Sequence, residues 1–297
     1  MNNKKESVFI SAVMYLSDFA NYAEKFTRNL LDSLKSYFDH YEVIIVDDCS
    51  TKHEKFLKEV LPSLADESII TVVHMSVRQG IEACLRAGLD VSIGDFVFEF
   101  DTLEMVFDKD LLWDVYQEAL KGNDVVSVEP KQNNMSRSLF YKLFNKYSNA
   151  DYDINASAFR LVSRRAINRV LELNMSNAFR QAVYASCGLK NSRIEYKGSA
   201  SSRKARDLNL AIDSFLLYTE FSKHVCSLTL GFMSVLIISG AVGLIADGIG
   251  WMFKVSVLIG IVLILVDIVF LLYYARLILK EKETKYLISN IEKIQKG

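Results

Sequence analysis

At 297 residues, 51% of them apolar, the chain has enough material for one large folded unit or two small ones. Its 35 Lys and Arg against 36 Asp and Glu leave a formal net charge of −1, which excludes a general nucleic-acid binder. The four cysteines, Cys49, Cys84, Cys187 and Cys226, form no C-x-x-C pair and have no His at metal-ligand spacing, so they read as reduced and structural. Met1 to Glu6 is polar and carries no apolar signal core, so export of the first domain is not expected.

Ser7–Val13 reads as a buried strand, followed by a helix from about Asp18 to Phe38 with Phe26, Leu30, Leu31 and Leu34 on one face. Tyr41–Val46 is an apolar run ending in Asp47-Asp48-Cys49-Ser50-Thr51. Then come a helix over 52–64, a strand over Ile69–His74, a helix over 79–91, a strand over Asp95–Phe100 and a helix over 108–121. Val125–Val128 adds a strand and Ser136–Ser148 a Ser-capped helix. This alternation predicts an α/β fold with a doubly wound, mostly parallel sheet. With only Pro62 and Pro130 and no low-complexity linker, no second soluble domain is expected.

In such sheets ligands bind beyond the carboxyl ends of the strands, so acids there are candidate site residues. Three groups qualify: Asp47 with Asp48, the segment from Glu99 through Asp101 to Glu104, and Asp108 with Asp110. Carboxylates beside a diphosphate would hold Mg²⁺ or Mn²⁺, which take hard oxygen ligands and neutralise a leaving nucleotide. For Asp108, capping the following helix is the better reading.

The last third differs in kind. Spans of about 225–246 and 253–275 are each long and apolar enough to cross a bilayer as a helix. The short link between them makes an antiparallel hairpin, so both flanks face one compartment. Those flanks carry Arg203, Lys204, Arg206 and Lys223, and Arg276, Lys280, Lys282 and Lys285, whereas the link has no basic residue; the positive-inside tendency then places the large domain in the cytosol. Residues 208–221 have helical apolar spacing suited to the membrane interface. Asp267, deep in the second span, reads as a helix-pairing residue, and Gly240, Gly243 and Gly260 would permit close packing, including in a homo-oligomer.

The order of motifs carries a resemblance. Val43-Ile-Ile-Val-Asp-Asp-Cys-Ser-Thr51, then Arg78-Gln-Gly80 with Leu85-Arg-Ala-Gly88, then Gly94-Asp-Phe-Val-Phe-Glu-Phe-Asp101 resemble the successive motifs of family 2 glycosyltransferases. Ser136–Asn145 and Ala158–Arg165, with the hairpin, resemble the branch that acts on dolichyl or polyprenyl phosphates. The resemblance implies a GT-A-like sheet and four regions: a nucleotide-sugar-binding domain over 1–206, an interfacial helix over 207–224, a hairpin over 225–275 and a cytosolic tail over 276–297. It also implies a multi-pass protein of the cytoplasmic membrane. Asp47 and Asp48 would meet the nucleotide together with Arg78 and Gly80. Asp101 would match the first Asp of a metal-binding D-x-D, with Glu104 as a further ligand, and Asp101 and Arg160 would act at the reaction centre. Arg137, Arg164, Arg203 and Arg206 would hold diphosphate or lipid phosphate, a task that a forked guanidinium suits.

Four positions depart from the family pattern. Ala12-Val-Met-Tyr-Leu-Ser-Asp18 stands where Pro-x-Tyr-Asn-Glu is usual, Cys49 replaces a Gly, Leu103 replaces the second Asp of D-x-D, and Ala158 replaces an active-site Asp. Glu99 gives an alternative E-x-D register, in which both acids point to one face of the strand and Glu99 is buried only with a partner. The expected activity is transfer of a sugar from a UDP- or GDP-linked donor to polyprenyl phosphate, with inversion, for surface-glycan synthesis. The alternative is a catalytically degenerate homologue that serves as a binding or scaffolding subunit.

Overall fold

The computed structural model of the protein describes residues 5–20, 22–65, 69–103, 108, 110–132, 135–172, 179–199, 207–247, 250–283 and 286–294. The chain divides into two compact units. One comprises Met1–Asn145, Ala150–Ala205 and Thr284–Gly297, the other Lys146–Asn149 and Arg206–Glu283.

The first unit is an eight-stranded sheet. Its centre is β1 (Glu6–Leu16), whose Ile10, Ala12, Val13 and Met14 are fully buried, as a strand flanked on both sides and covered on both faces requires. β2 (Phe38–Asp47) and β4 (Phe96–Phe100) pair with it in parallel, and β3 (Ile69–Met75) continues in parallel beyond β2. On the other side β6 (Phe159–Ser163) runs antiparallel to β4, β5 (Val125–Gln132) antiparallel to β6, and β7 (Asn191–Ser199) parallel to β5. The far edge is closed by β8 (Ile288–Ile294), antiparallel to β3, which returns the chain to the sheet after the apolar hairpin.

Helix α1 (Ala23–Tyr37) buries Phe26, Leu30, Leu31 and Leu34, the face that its sequence spacing predicts. Phe26 meets Phe100 edge-on at 5.1 Å, which ties the helix to β4. The helix begins at Ala23 rather than near Asp18, because the Asp18 carboxylate is committed to the loop after β2. A helical segment over 56–64, ending in α2 (Leu61–Leu64), precedes β3. α3 (Ile81–Val91) lies so close to the sheet that a Cβ on Gly88 would meet Val13 Cγ1 at 2.3 Å. α4 (Asp110–Leu120) stacks Trp113 on Tyr37 at 5.2 Å. α5 (Met135–Tyr147), α6 (Arg164–Glu172) and α7 (Arg180–Ala185) complete the unit.

The second unit contains α8 (Asp207–Tyr218), α9 (Phe221–Asp247) and α10 (Trp251–Glu283). Phe221–Ile245 and Phe253–Leu279 are long and apolar enough to cross a membrane. On α10 the half-buried positions Phe253, Ser256, Gly260, Leu263, Asp267 and Phe270 recur at alternating three- and four-residue steps, the seam of an antiparallel helix pair. Ser256 Oγ lies 3.2 Å from Ser239 Oγ, and a Cβ on Gly240 would lie 3.6 Å from Ser256 Cβ, so Gly240 is used within the hairpin. Asp267 lies on that same stripe of α10.

Candidate active site

At the end of β2 two loops, 48–52 and 76–80, are held together by carboxylates. Asp48 accepts hydrogen bonds from the Gln79 backbone N–H at 2.7 Å, the Gly80 N–H at 3.1 Å and the Tyr15 hydroxyl at 3.0 Å. Gly80 has φ +83°, a conformation that glycine adopts without strain. Asp47 accepts from the Ser50 N–H at 2.9 Å and lies 3.1 Å from His74 Nδ1. Asp18 accepts from the Thr51 N–H at 2.7 Å and the Lys52 N–H at 3.1 Å and pairs with Arg78. The Lys52 N–H above all, with Thr51, Ser50 and Arg78, holds the Asp18 carboxyl well below the usual carboxylate range. Burial, followed by Asp48, pushes the Tyr15 hydroxyl up.

Cys49 keeps φ +53°, the left-handed conformation that the glycine usual at this position would take freely. Its Sγ donates to the Met75 carbonyl at 3.1 Å. From the other side, the Gln79 side chain donates to the Leu287 carbonyl and accepts from the Leu287 N–H, both at 2.8 Å. The residue before β8 thus clamps the second loop.

At the end of β4 the arrangement is different. Glu99 and Asp101 point to one face, and the antiparallel register sets Arg160 of β6 directly opposite Glu99. Arg160 donates to Glu99 Oε2 at 2.9 Å and to Asp101 Oδ2 at 2.6 Å. Arg180 of α7 donates to Asp101 Oδ1 at 3.0 Å, Glu99 Oε2 at 3.2 Å and Glu82 Oε2 at 2.6 Å. Tyr184, one helical turn after Arg180, donates its hydroxyl to Glu99 Oε1. Arg160 and Arg180 are only 1% and 5% exposed, so both guanidinium groups have left water for these partners. Burial opposes the charge on each, yet Asp101 and Glu99 around Arg160, and Glu82, Glu99 and Asp101 around Arg180, outweigh it and hold both above the usual arginine range. Burial raises the Glu82 carboxyl, with Arg180 pulling the other way.

Residues 18–176 match the Glycosyl transferase family 2 profile, more than half of the chain. The chain belongs to glycosyl transferase family 2. It is 22% identical over 253 residues to an uncharacterised glycosyltransferase of Synechocystis, covering 78% of this chain and 79% of that one. It is 23% identical over 208 residues to a prophage bactoprenol glucosyl transferase homologue of Escherichia coli K12, covering 65% of this chain and 66% of that one. Among solved structures, a mannosyltransferase of Pyrobaculum calidifontis in complex with GDP-Man and Mn²⁺ superposes with a TM-score of 0.53 at 15% identity, covering 74% of this chain and 65% of that one. That likeness establishes a GT-A fold.

Within this family 2 glycosyltransferase, Asp47, Asp48, Arg78 and Gly80 come together around the two loops. Asp101 and Arg160 also meet, but in a buried ion pair: the guanidinium expected at the reaction centre is spent on Glu99, Asp101 and Ser157. Arg164 is a correction. Because β6 is antiparallel, its far end lies at the opposite edge of the sheet, where Arg164 donates to the Gly94 carbonyl at 2.7 Å and the Ser92 hydroxyl at 3.0 Å, away from any phosphate near Asp101. Glu104, Arg203 and Arg206 lie outside the described residues, and of Arg137 only the helical backbone is described.

The residues present do not fit a D-x-D cation site. Leu103, 3% exposed, packs in the apolar core, and each Asp101 oxygen is taken by a different guanidinium. Ala158 likewise packs in the core. Among the described residues no group of three or more His, Cys, Asp or Glu is arranged to hold a metal. The sequence reading missed Glu82, Arg180 and Tyr184. The one available signal was Arg180 four residues before Tyr184 in the short apolar stretch Ala182-Val183-Tyr184-Ala185, a polar pair on one helix face that burial obliges to find partners.

Proposed function

We propose that this glycosyltransferase moves a sugar from a UDP- or GDP-linked donor to a polyprenyl phosphate at the cytoplasmic face of a bacterial-type membrane, for surface-glycan synthesis. The observation that carries the reading is β8. The chain leaves the α/β unit before two helices of membrane-spanning length and rejoins the same sheet after them, so an even number of crossings keeps both flanks in one compartment. The names of the bactoprenol glucosyl transferases among the relatives support the acceptor, and the GDP-Man held by the Pyrobaculum enzyme supports the donor class.

The chemistry suits the chain. A lipid monophosphate has its second pKa near 6, is mostly ionised at neutral pH, and needs no general base to attack. Its oxygen forms the new bond to the anomeric carbon from the face opposite the leaving group. The old C–O bond breaks with its electron pair going to the nucleoside diphosphate, which inverts the configuration. The protein's part is positioning. Loops 48–52 and 76–80 would seat the nucleotide at Asp47, Asp48 and Gly80, while Arg78 and, beyond the described residues, Arg203 and Arg206 would meet phosphate. In this reading 1–206 binds the donor, 207–224 lies at the interface, 225–275 anchors the chain and 276–297 follows in the cytosol.

The ion-paired state of Asp101 favours a second reading, a binding subunit that performs no transfer. The two separate in one experiment: purified full-length protein, polyprenyl phosphate and a panel of radiolabelled UDP- and GDP-sugars, with label followed into the lipid phase. Labelled lipid supports transfer. Nucleotide binding by calorimetry without labelled lipid leaves the binding subunit, and absence of both defeats the donor proposal.

A further inference from the structure

At the end of β4 three carboxylates, Glu82 of α3, Glu99 of β4 and Asp101 just after it, converge on a guanidinium supplied from within the chain. Arg180 touches all three acids, Glu82 Oε2 at 2.6 Å, Glu99 Oε2 at 3.2 Å and Asp101 Oδ1 at 3.0 Å, and Arg160 takes the remaining Asp101 oxygen at 2.6 Å. We infer that Arg160 and Arg180 replace the divalent cation at Asp101, so that this transferase binds its donor nucleotide without a metal. The inference rests on the donor proposal only where nucleotide enters the test; the exclusion of the cation stands on the cluster itself.

Three features bear on it. First, the donor set is wrong for Mg²⁺ or Mn²⁺. The residue two after Asp101 is the buried Leu103, and neither Asp101 oxygen in these ion pairs can turn to a cation without breaking its bond to a buried guanidinium. Second, the acids already face cations. Two guanidinium groups face three carboxylates, and burial raises the carboxyl of Glu82, with Arg180 pulling the other way. A divalent cation would instead leave two buried arginines beside it. Third, the arginines are fixed by architecture. Arg160 is set by the β4–β6 register, while Arg180 is held by its own backbone N–H on Glu82 at 3.2 Å as well as by its side chain.

The test is electron paramagnetic resonance of Mn²⁺ titrated alone into the full-length protein, followed by calorimetry of UDP and GDP binding in EDTA and in Mn²⁺. The wild-type protein is expected to leave the free Mn²⁺ signal undiminished. Arg180→Met, which removes the guanidinium shared by Glu82, Glu99 and Asp101, is expected to remove about one equivalent per chain. Nucleotide affinity is expected to agree within about threefold between EDTA and Mn²⁺. One equivalent of Mn²⁺ taken up by the wild type and lost in Asp101→Asn overturns the inference, as does nucleotide binding that requires Mn²⁺. A folded Arg180→Met that takes up no Mn²⁺ shows that the arginines are not what excludes the cation and also overturns it. If Arg180→Met does not fold, the wild-type titration decides alone. A wild type that ignores Mn²⁺ and also binds no nucleotide sinks the donor proposal while the metal-free cluster stands.

Discussion

Two strands of one sheet end in paired acids, and the pairs have opposite fates. At the end of β2, Asp47 and Asp48 accept neutral N–H and O–H groups and knit two surface loops together. At the end of β4, Glu99 and Asp101 are packed against two guanidinium groups away from water. The acids are the same; the neighbours decide. β2 is flanked by parallel strands that contribute Tyr15 and His74, whereas β4 meets an antiparallel strand that presents Arg160 face to face with Glu99. A carboxylate at a strand end is therefore an invitation to bind something, and what answers is set by the next strand's direction and register.

The sharpest way to break the comparison is Arg160→Met. If the β4 cluster is a closed ion-pair network, losing one cation strands buried charge, and unfolding free energy should fall by about 3–5 kcal/mol in a denaturant titration. A loss below about 1 kcal/mol would mean that the pair is as weak as a surface bridge. Next in size is deletion of 287–297. It removes the β3–β8 ladder and the Gln79–Leu287 clamp, with an expected loss of about 2–4 kcal/mol from several hydrogen bonds at 0.5–1.5 each, and hydrogen exchange should rise at 76–80 but not at 99–101.

Asp48→Ala should cost about 1–3 kcal/mol, since three donors lose one acceptor, and should weaken nucleotide binding in calorimetry where Arg160→Lys does not. The smallest effect is expected at Asp18. A carboxyl held below its unfolded value contributes stability that is present above about pH 4 and lost as pH falls toward its folded value, so Asp18→Asn should lower stability slightly at neutral pH, converge with the wild type in acid and thereby flatten the acid limb of the stability curve. An acid limb identical to that of the wild type would show that the loop does not depend on that charge.

Much of this architecture is legible in the sequence because the signals are periodic. The apolar runs of β1 to β4, the face of α1 and the two long apolar helices follow from spacing alone. Two of the three strands that escaped notice, β6 and β8, break the pattern for physical reasons. β6 carries Arg160 in its interior, so it does not read as a buried run, and β8, Ile-Ser-Asn-Ile-Glu-Lys-Ile, is an exposed edge whose place depends on a partner 200 residues away. At the candidate site, Asp47 and Asp48 were legible as acids at the end of an apolar strand, and Gly80 through the family resemblance. The ion-pair cluster was not, because Glu82, Glu99, Arg160 and Arg180 are separated along the chain and only the folded register brings them together.

The edge strand also dates the molecule's completion. β8 follows the apolar hairpin in the chain and leaves the ribosome after it, and until it arrives β3 offers an unpaired row of backbone groups to any passing chain. The sheet therefore cannot be finished until the apolar hairpin has been made, and an mRNA truncated before codon 288 is expected to yield a product prone to aggregate.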